Sequence, residues 1–462
     1  MTHAAPSVRP VGLLARLVQV LVFRLVRLFY ARIDVQGQAH LPGEGPVIYV
    51  LNHPNGILDP VLLMAALGRP VSFLAKSTLF GNPVGRWTME TFGALPVYRQ
   101  RDKGLQGGSR DAGDMMARNE ATFARCRALL HGGEALALFP EGTTHSGPEL
   151  LPLRSGAARI ALSAEAEAGW ALGLRIVPVG LWYEDKTRFR TSVLVVVGEP
   201  FTLTTYAEAY GAEERQTVQA VTGRLDAGLD AVVLQAENAE LLTAIPAIAA
   251  WTAPEGTAPD LSRRHAWAAT LLAAYQRLHQ TDPSRLERVA EKARRYASLL
   301  QALGVADPWR LEDPTVNRAY LARRVLGLVL LGPPALAGCL MSYAPYRLAG
   351  PVALRLVRED DTQTGTFKLI GGTLFVLVGW ILEAALVGWL LGPIWGAGVF
   401  LVAPLLGYAA LRWSEGWHRL RELTSYRRLR ERRMGLVALL TERRRDLALD
   451  VVAAVESITK AS

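Results

Sequence analysis

The stretch VIYVLNHPNGILDP, residues 47–60, decides how this chain begins to fold. Its first five residues are apolar and rich in β-branched side chains, which predicts a buried strand. An Asn-Gly pair then gives a strong turn signal, and the Asp59-Pro60 pair predicts a helix that starts with Asp59 as its N-cap. The chain therefore passes from strand to helix through one short turn, and that turn carries His53.

Strand and helix signals alternate from residue 35 to residue 202. The strand candidates are short apolar runs: Val47–Leu51, Val71–Ala75, Gly93–Val97, Ala135–Phe139, Arg175–Leu181 and Ser192–Val197. The clearest helices between them are Asp111–His131 and Ser155–Ala168. This alternation predicts an α/β fold, a sheet flanked by helices, and the continuous apolar runs predict that both faces of the sheet are covered.

The composition narrows the choice of partners. The chain has 51 Lys and Arg against 42 Asp and Glu, a net charge of +9, and half of its residues are hydrophobic. Its mean hydropathy is +0.17. A basic and apolar chain favours an anionic partner, either lipid headgroups or a phosphorylated substrate. We find no nucleic-acid-binding motif, so nucleic acid is not an expected partner.

Residues 1–34 contain an apolar segment that is interrupted by polar side chains at helical spacing. Arg16, Gln19, Arg24 and Arg27 fall on one stripe of a helix, and Leu, Val and Phe fill the rest. This pattern predicts an amphipathic helix at a membrane interface. The alternative is a helix packed on the following domain with a narrow wet face.

Three further regions follow the predicted α/β domain of residues 35–202. Residues 203–323 have helical spacing without a functional signal. Residues 324–411 are apolar: 369–391 and 394–411 are long enough to span a bilayer, whereas Pro333 and Pro334 predict a broken or re-entrant segment at 325–345. The alternative is a buried helical hairpin in a soluble domain.

Residues 412–462 form a predicted basic cytoplasmic tail. Eleven Arg stand against four Glu between Arg412 and Arg445. An excess of Arg beside membrane helices is typical of cytoplasmic flanks, so the catalytic domain is expected on the cytoplasmic face of the cell membrane. The alternative for this run is a charged, solvated helix.

The pair His53 and Asp59 is the sharpest chemical signal. A neutral imidazole can accept a hydroxyl proton near neutral pH, and a carboxylate on its other nitrogen would stabilise the imidazolium that forms. The alternative is a capped turn that contains an incidental His.

A second group of residues is suited to holding an anion. Glu141, Gly142 and Thr143 follow a predicted strand, and Arg154 stands just before a predicted helix. Arg99 ends another strand. Arg forms forked hydrogen bonds to phosphate, and a Gly-containing loop can offer backbone N–H groups. Glu141 either contacts an acceptor hydroxyl or braces its own loop.

Taken together, four segments resemble the phospholipid/glycerol acyltransferase (PlsC-like) family. Asn52-His53…Asp59 is similar to its catalytic block, Gly93…Arg99 to its glycerol-phosphate block, and Phe139-Pro140-Glu141-Gly142 to its acceptor block. The apolar run Val177-Pro178-Val179 is similar to the block linked to the acyl donor. His145 and the stretch LLPLRSG, residues 150–156, resemble the branch of glycerol-3-phosphate and dihydroxyacetone-phosphate acyltransferases.

The resemblance implies a glycerolipid acyltransferase fold and a role in phospholipid biosynthesis. His53 would be the general base and Asp59 its partner, while Arg99, Glu141, Gly142, Thr143 and Arg154 would bind the acceptor. The co-substrate would be acyl-CoA or acyl-carrier protein, with no cofactor. Two departures stand out: five residues separate His53 from Asp59 where four are usual, and Arg154 stands where many relatives have Lys.

Three rival functions are distinguishable. A 1-acylglycerol-3-phosphate acyltransferase would use the same residues with another acceptor, and a non-catalytic membrane scaffold would use none of them. A lipase is disfavoured because no Gly-x-Ser-x-Gly motif is present. Cys126 and Cys339 have no metal-ligand spacing, so neither a metal site nor a disulfide framework is expected.

Overall fold

The computed structural model describes residues 12–99, 112–254, 258–311, 318–357 and 364–459. The chain divides into two compact units. The first comprises Met1–Asn238 with Asp360–Leu369, and the second comprises Ala239–Glu359 with Ile370–Ser462.

The first unit is built on a seven-stranded sheet. Its strands are β1 (Arg32–Gln36), β2 (Val47–Leu51), β3 (Ser72–Lys76), β4 (Ala94–Val97), β5 (Ala135–Leu138), β6 (Arg175–Tyr183) and β7 (Ser192–Val197). The spatial order is β1-β7-β6-β2-β5-β3-β4. Neighbouring strands are parallel except β6 and β7, which are antiparallel. The strands from β6 to β4 therefore end at one common edge, where parallel sheets place their functional loops.

The predicted strands are confirmed, with ends that differ by one or two residues. The α/β prediction is likewise confirmed, since helices pack on a sheet whose central strand β2 is buried throughout. One strand was not predicted: β1 reads Arg-Ile-Asp-Val-Gln and has no fully buried residue. An edge strand with polar side chains lacks the continuous apolar run that marks the inner strands.

Seven α-helices accompany this sheet within the described residues. They are α1 (Leu13–Phe29), α2 (Leu58–Leu67), α3 (Pro83–Thr91), α4 (Ala112–His131), α5 (Gly156–Glu167), α6 (Ala207–Ala212) and α7 (Glu214–Asp230).

Helix α1 has a packed face and an exposed apolar face. Val26 and Phe29 are buried in the sheet core, and Gln19 Nε2 donates a hydrogen bond of 2.6 Å to the carbonyl of Thr91. Gln19 therefore contacts the protein, although the sequence placed it on the polar stripe of a helix at a membrane interface. Five large apolar side chains remain exposed on α1: Leu13, Leu14, Leu17, Val20 and Leu21. A location of this face at a membrane interface stays a prediction.

The sheet unit extends past residue 202, the boundary expected from sequence. Helix α7 contacts both β6 and β2, and its buried residues include Val221 and Leu225. The segment after α7 lies so close to β6 that a Cβ at Gly180 would stand 2.0 Å from the carbonyl oxygen of Val232. Residues 203–238 therefore belong with the sheet and are not part of a separate helical region.

The second unit is helical throughout its regular structure. Its helices are α8 (Ala239–Trp251), α9 (Leu261–Thr281), α10 (Pro283–Leu303), α11 (Arg318–Val357), the part of α12 (Thr364–Leu391) after residue 369, α13 (Pro393–Arg432) and α14 (Met434–Thr459). Helix α14 contacts α9 and α10 and buries Leu440, Leu447 and Val451. The end of the predicted tail is thus packed into this unit.

Three helices of the described residues are long and apolar enough to cross a membrane, as judged by length and composition. They are Ala319–Leu348, Thr364–Leu391 and Pro393–Arg432, and the apolar 18-residue windows within them have mean hydropathies of 1.9, 2.2 and 1.8. The two segments predicted to span, 369–391 and 394–411, lie inside the second and third of these helices. Helices of this length and composition are compatible with membrane association.

The predicted break at Pro333-Pro334 is not present, because α11 is one continuous helix across both prolines. Helices in a membrane-type bundle tolerate proline when neighbouring helices support the freed backbone groups. Helix α13 packs against α11 on either side of these prolines: Trp413 Nε1 donates to the carbonyl of Leu328 at 3.0 Å, and a Cβ at Gly338 would meet the backbone of Leu406 at 1.9 Å.

Helix α11 also contacts α12. A Cβ at Gly379 would stand 3.0 Å from the ring of Pro345.

We predict that Gly180→Ala lowers the stability of the protein. The new methyl group would collide with the backbone of Val232, and overpacking of this kind costs about 1–3 kcal/mol. The expected result is a fall of several degrees in apparent Tm, measured on the full chain in detergent. Gly223→Ala, on exposed α7 backbone with no described atom within 4 Å, is the control and should not lower Tm. Equal Tm values for the two variants would contradict the packing described here.

Candidate active site

His53 lies in the loop between β2 and α2, at the common edge of the parallel strands. Its Nδ1 is 2.8 Å from Oδ2 of Asp59, and its ring stacks on Phe139 with centroids 4.1 Å apart. Gly56 has a φ of +56°, the left-handed conformation that the Asn-Gly signal predicted. The longer His-to-Asp spacing is therefore absorbed in this turn without separating the pair.

The carboxylate of Asp59 is fully buried and receives three hydrogen bonds. Oδ2 accepts from Nδ1 of His53 and from the backbone N–H of Asn55, both at 2.8 Å, and Oδ1 accepts from the hydroxyl of Tyr183 at 2.6 Å. Burial and the negative charge of Asp59 raise the pKa of Tyr183 well above its usual range, so this hydroxyl keeps its proton and donates it.

The expected N-cap role of Asp59 is wrong. Helix α2 begins at Leu58, so Asp59 lies inside its first turn, and the residue at the N-cap position is Ile57. The carboxylate turns back to Asn55 and His53 instead of capping the helix. This arrangement fixes the tautomer of His53: Nδ1 carries the proton toward Asp59, and Nε2 keeps its lone pair. Within the described part of the chain, Nε2 has no hydrogen-bond partner.

Asn52 locks the start of this loop to the neighbouring strand β6. Its side chain donates to the carbonyl of Leu181 at 3.2 Å and accepts from the N–H of Leu181 at 2.8 Å. Two hydrogen bonds to one backbone residue hold the loop in register with β6. This pairing brings Tyr183, two residues further along β6, to Asp59.

Glu141 braces the two loops of the site. Its carboxylate is almost fully enclosed: Oε1 accepts from the N–H of His53 at 3.1 Å, and Oε2 accepts from the N–H of Leu151 at 3.1 Å and from Nε2 of His145 at 2.6 Å. The N–H of Gly147 donates to Nδ1 of His145, so the proton of this second imidazole is on Nε2. Of the two roles considered for Glu141, the geometry favours the brace over contact with an acceptor.

Arg99 and Arg154 converge on Gly142. Arg99 donates to the carbonyl of Gly142 at 2.6 Å, and the side chain of Arg154 lies so close that a Cβ at Gly142 would stand 2.4 Å from its Nε. Gly142 also has a φ of +69°, so this position requires glycine. Arg154 is exposed, and Thr143 is half-buried on the same loop. Two guanidinium groups around one loop form a concentrated positive charge suited to a phosphate.

The apolar run Val177-Pro178-Val179 lies inside β6, paired with β2. Val177 and Val179 have no exposed surface. These side chains form the core beneath the site, and their suggested link to the acyl donor stays a prediction.

Known proteins are similar to this chain in the region that contains most of the site residues. A family model described as Acyltransferase matches residues 32–182, which hold β1 to β5, β6 up to Trp182, and all of the site residues except Tyr183. Residues 32–182, about a third of the chain, are similar to the acyltransferase family. The resemblance inferred from the four sequence segments is thereby confirmed.

The individual relatives have names that specify different acceptors or none. An uncharacterized acyltransferase of Schizosaccharomyces pombe is 25% identical over 416 residues, 70% of this chain and 59% of that protein. Glycerol-3-phosphate O-acyltransferase 1 of Saccharomyces cerevisiae is 25% identical over 307 residues, 49% of this chain and 40% of that protein. A chloroplastic 1-acyl-sn-glycerol-3-phosphate acyltransferase of Brassica napus is 30% identical over 155 residues, 33% of this chain and 38% of that protein. The chain thus spans between 38% and 59% of the length of these three relatives, which is less than two thirds in each case.

Sequence reasoning missed three residues of the acyltransferase site. Tyr183 binds Asp59, Asn55 supplies a backbone donor to the same carboxylate, and the hydroxyl of Tyr30 accepts from Asn55 Nδ2 at 3.2 Å. Tyr183 is the last residue of β6 and follows its apolar run. A hydroxyl-bearing side chain at the end of an apolar strand was the one signal that could have drawn attention to it. Tyr30 and Tyr183 carried no motif that could pair them with Asp59.

Cys126 offers no alternative nucleophile in the acyltransferase domain. Its thiol is fully buried in α4, and burial raises the pKa of Cys126 to about 12. A thiol that stays protonated near neutral pH is a poor nucleophile. The geometry thus favours direct attack by an acceptor over a covalent cysteine intermediate.

We predict that Asp59→Asn retains the fold and loses activity. Asn is the same size, but its NH₂ group would face hydrogens donated by His53, Asn55 or Tyr183, and the tautomer of His53 would no longer be fixed. The expected fall in kcat is on the order of 10³-fold or more, with an unchanged Tm, in steady-state assays of acyl transfer. Asp34→Asn, on the edge strand β1, is the matched control. If both variants kept full activity, the role of Asp59 in the site would be refuted.

Proposed function

We propose that this protein is an O-acyltransferase that moves a fatty acyl group from an acyl thioester to the hydroxyl of glycerol 3-phosphate or dihydroxyacetone phosphate. The observation that carries the proposal is His53 Nε2: its lone pair is left open because Asp59 fixes the proton on Nδ1, and it stands beside the loop on which Arg99 and Arg154 converge. A base and an anion site are therefore adjacent.

In the proposed reaction His53 Nε2 takes the proton of the acceptor hydroxyl as that oxygen attacks the thioester carbonyl carbon. Asp59 stabilises the imidazolium that forms. The tetrahedral intermediate then collapses, the carbon–sulfur bond breaks, and the imidazolium returns the proton to the leaving thiolate. The products are an ester and a free thiol, carried by coenzyme A or by acyl-carrier protein. Arg99 and Arg154 hold the acceptor phosphate, and Glu141 keeps the two loops together.

One observation favours glycerol 3-phosphate over lysophosphatidate as acceptor. The similarity to the yeast glycerol-3-phosphate acyltransferase covers 49% of this chain, whereas the similarity to the plant 1-acylglycerol-3-phosphate enzyme covers 33%. The longer similarity includes sequence outside the matched acyltransferase domain. A 1-acylglycerol-3-phosphate acyltransferase remains the second candidate, since the same base and anion site would serve it.

We predict that purified protein acylates glycerol 3-phosphate or dihydroxyacetone phosphate in preference to lysophosphatidate, assayed with acyl-CoA and with acyl-carrier-protein donors. His53→Ala should lower kcat by on the order of 10³-fold, because the transfer would lack its base. His279→Ala, which removes an exposed imidazole from α9, is the matched control and should retain activity. Preference for lysophosphatidate would support the second candidate. Inactivity with all three acceptors, or full activity of His53→Ala, would favour a scaffold.

We also propose that the protein is bound to the cell membrane by α12 and α13, and that α11 enters the bilayer without crossing it. A hairpin that crosses twice returns the chain to the side that it left. The Arg-rich run 412–445 then lies on the same side as the first residues of α12, and its charge favours the cytoplasmic face. Residues 364–369, which follow α11, cluster with the sheet unit that precedes α11, and this supports a path of α11 that returns to the side from which it entered.

This topology predicts that tags inserted before Val325 and after Arg445 are digested together by a protease added to one face of sealed vesicles. In a chain without Cys126 and Cys339, a single cysteine at Ile394, which is 85% exposed at the start of α13, should be labelled only from the opposite face. That cysteine verifies the sidedness of the vesicles. Digestion of the two tags from opposite faces would mean that α11 crosses.

A further inference from the structure

The first two turns of α12 pack against the catalytic unit. Residues 364–369 cluster with the sheet, whereas α12 from Ile370 onward belongs to the helical unit. Thr364 and Thr366 are only 4% and 7% exposed, and Lys368 Nζ donates to the carbonyl of Thr187 at 2.6 Å. Leu369 packs against the same apolar core as Leu58. The amino end of a membrane-type helix is therefore embedded in the domain that holds His53.

The contact point of this segment is Gly365. A Cβ at Gly365 would stand 2.7 Å from Oδ1 and 3.0 Å from Nδ2 of Asn55, and 3.1 Å from the carbonyl oxygen of Lys186. Asn55 has no exposed surface, so its side chain has little room to move away. The helix backbone can approach this closely only because residue 365 has no side chain.

Asn55 links this contact to the catalytic pair. Its backbone N–H donates to Oδ2 of Asp59 at 2.8 Å, the same oxygen that receives the Nδ1 proton of His53. Its side chain is held from the other direction by Tyr30. A shift of Asn55 would therefore move a hydrogen bond that orients Asp59 and, through it, His53.

We propose that residues 364–369 are a positioning element of the active site, in which Gly365 presses on Asn55 and thereby holds Asp59 in line with His53. The inference rests on the proposed acyl transfer and goes beyond it. A helix that the fold uses as a membrane segment also sets the catalytic geometry. Activity then requires that the amino end of α12 stay docked, although no atom of this segment touches the reacting groups.

The test compares two glycine-to-alanine changes on the same helix. Gly365→Ala places a methyl group against Asn55, whereas Gly371→Ala, six residues later, has no described atom within 4 Å of the new methyl. Misplacement of a catalytic group by about 1 Å can cost about 10²-fold in rate. We expect Gly365→Ala to lower kcat by about 10- to 100-fold with KM for donor and acceptor within about twofold. Gly371→Ala should match wild type, and the fall in kcat of Gly365→Ala should persist at temperatures well below its apparent Tm, where any loss of stability leaves the protein folded.

A second variant tests the route through Asn55. Asn55→Ala removes the side chain that the new methyl group meets, and it keeps the backbone N–H that donates to Asp59. Adding Gly365→Ala to Asn55→Ala should therefore cost far less than adding it to wild type. Equal costs in the two backgrounds would overturn the proposed route.

A readout without turnover separates this inference from the proposed function. The rate at which diethyl pyrocarbonate modifies His53, followed by mass spectrometry, should change in Gly365→Ala and not in Gly371→Ala. If wild type transfers no acyl group, the proposed function fails, and this rate still tests the coupling. If Gly365→Ala equals Gly371→Ala in kcat and in modification rate, or loses kcat only at temperatures near its apparent Tm, the positioning role is overturned.

Discussion

The buried carboxylate of Asp59 is the group on which the rest of the site depends. A carboxylate removed from water is stable only when its oxygens are hydrogen-bonded, and here three donors converge on it from three parts of the chain. His53 comes from its own loop, Asn55 from the turn between them, and Tyr183 from the end of β6. The hydrogen bonds to this carboxylate therefore connect the loop between β2 and α2 to the end of β6.

Sheet register explains why the second loop meets the first. Strands β2 and β5 are parallel neighbours with Val50 opposite Leu138. His53 and Glu141 each lie three residues beyond these partners, so they leave the sheet at the same level. The carboxylate of Glu141 can therefore accept a hydrogen bond from the backbone N–H of His53 close to the ends of the two strands. Strand β4, two positions further along the sheet, brings Arg99 to Gly142 at the same edge.

The apolar helix α12 also contributes to the catalytic unit. The amino end of α12 belongs with the sheet, and its glycine lies against the turn that orients Asp59. The sequence predicted a break at Pro333-Pro334 because two adjacent prolines normally end a helix in water. Here α11 continues across both prolines and packs against α13.

The sequence by itself determined the inner strands, the α/β class and the apolar helices, and it selected His53, Asp59, Arg99 and Glu141 as candidate site residues. These features depend on patterns within a few residues, such as a run of apolar side chains, an Asn-Gly turn or a short sequence motif. Tertiary structure decided what could not be read from such patterns: that Asp59 is a buried acceptor and not a cap, that Glu141 is a brace, and that α14 packs on α9 and α10. Tyr183 reaches Asp59 across 124 positions, and Gly365 meets Asn55 across 310. Contacts at such separations depend on how strands and helices are placed beside one another, and local periodicity carries no record of that placement.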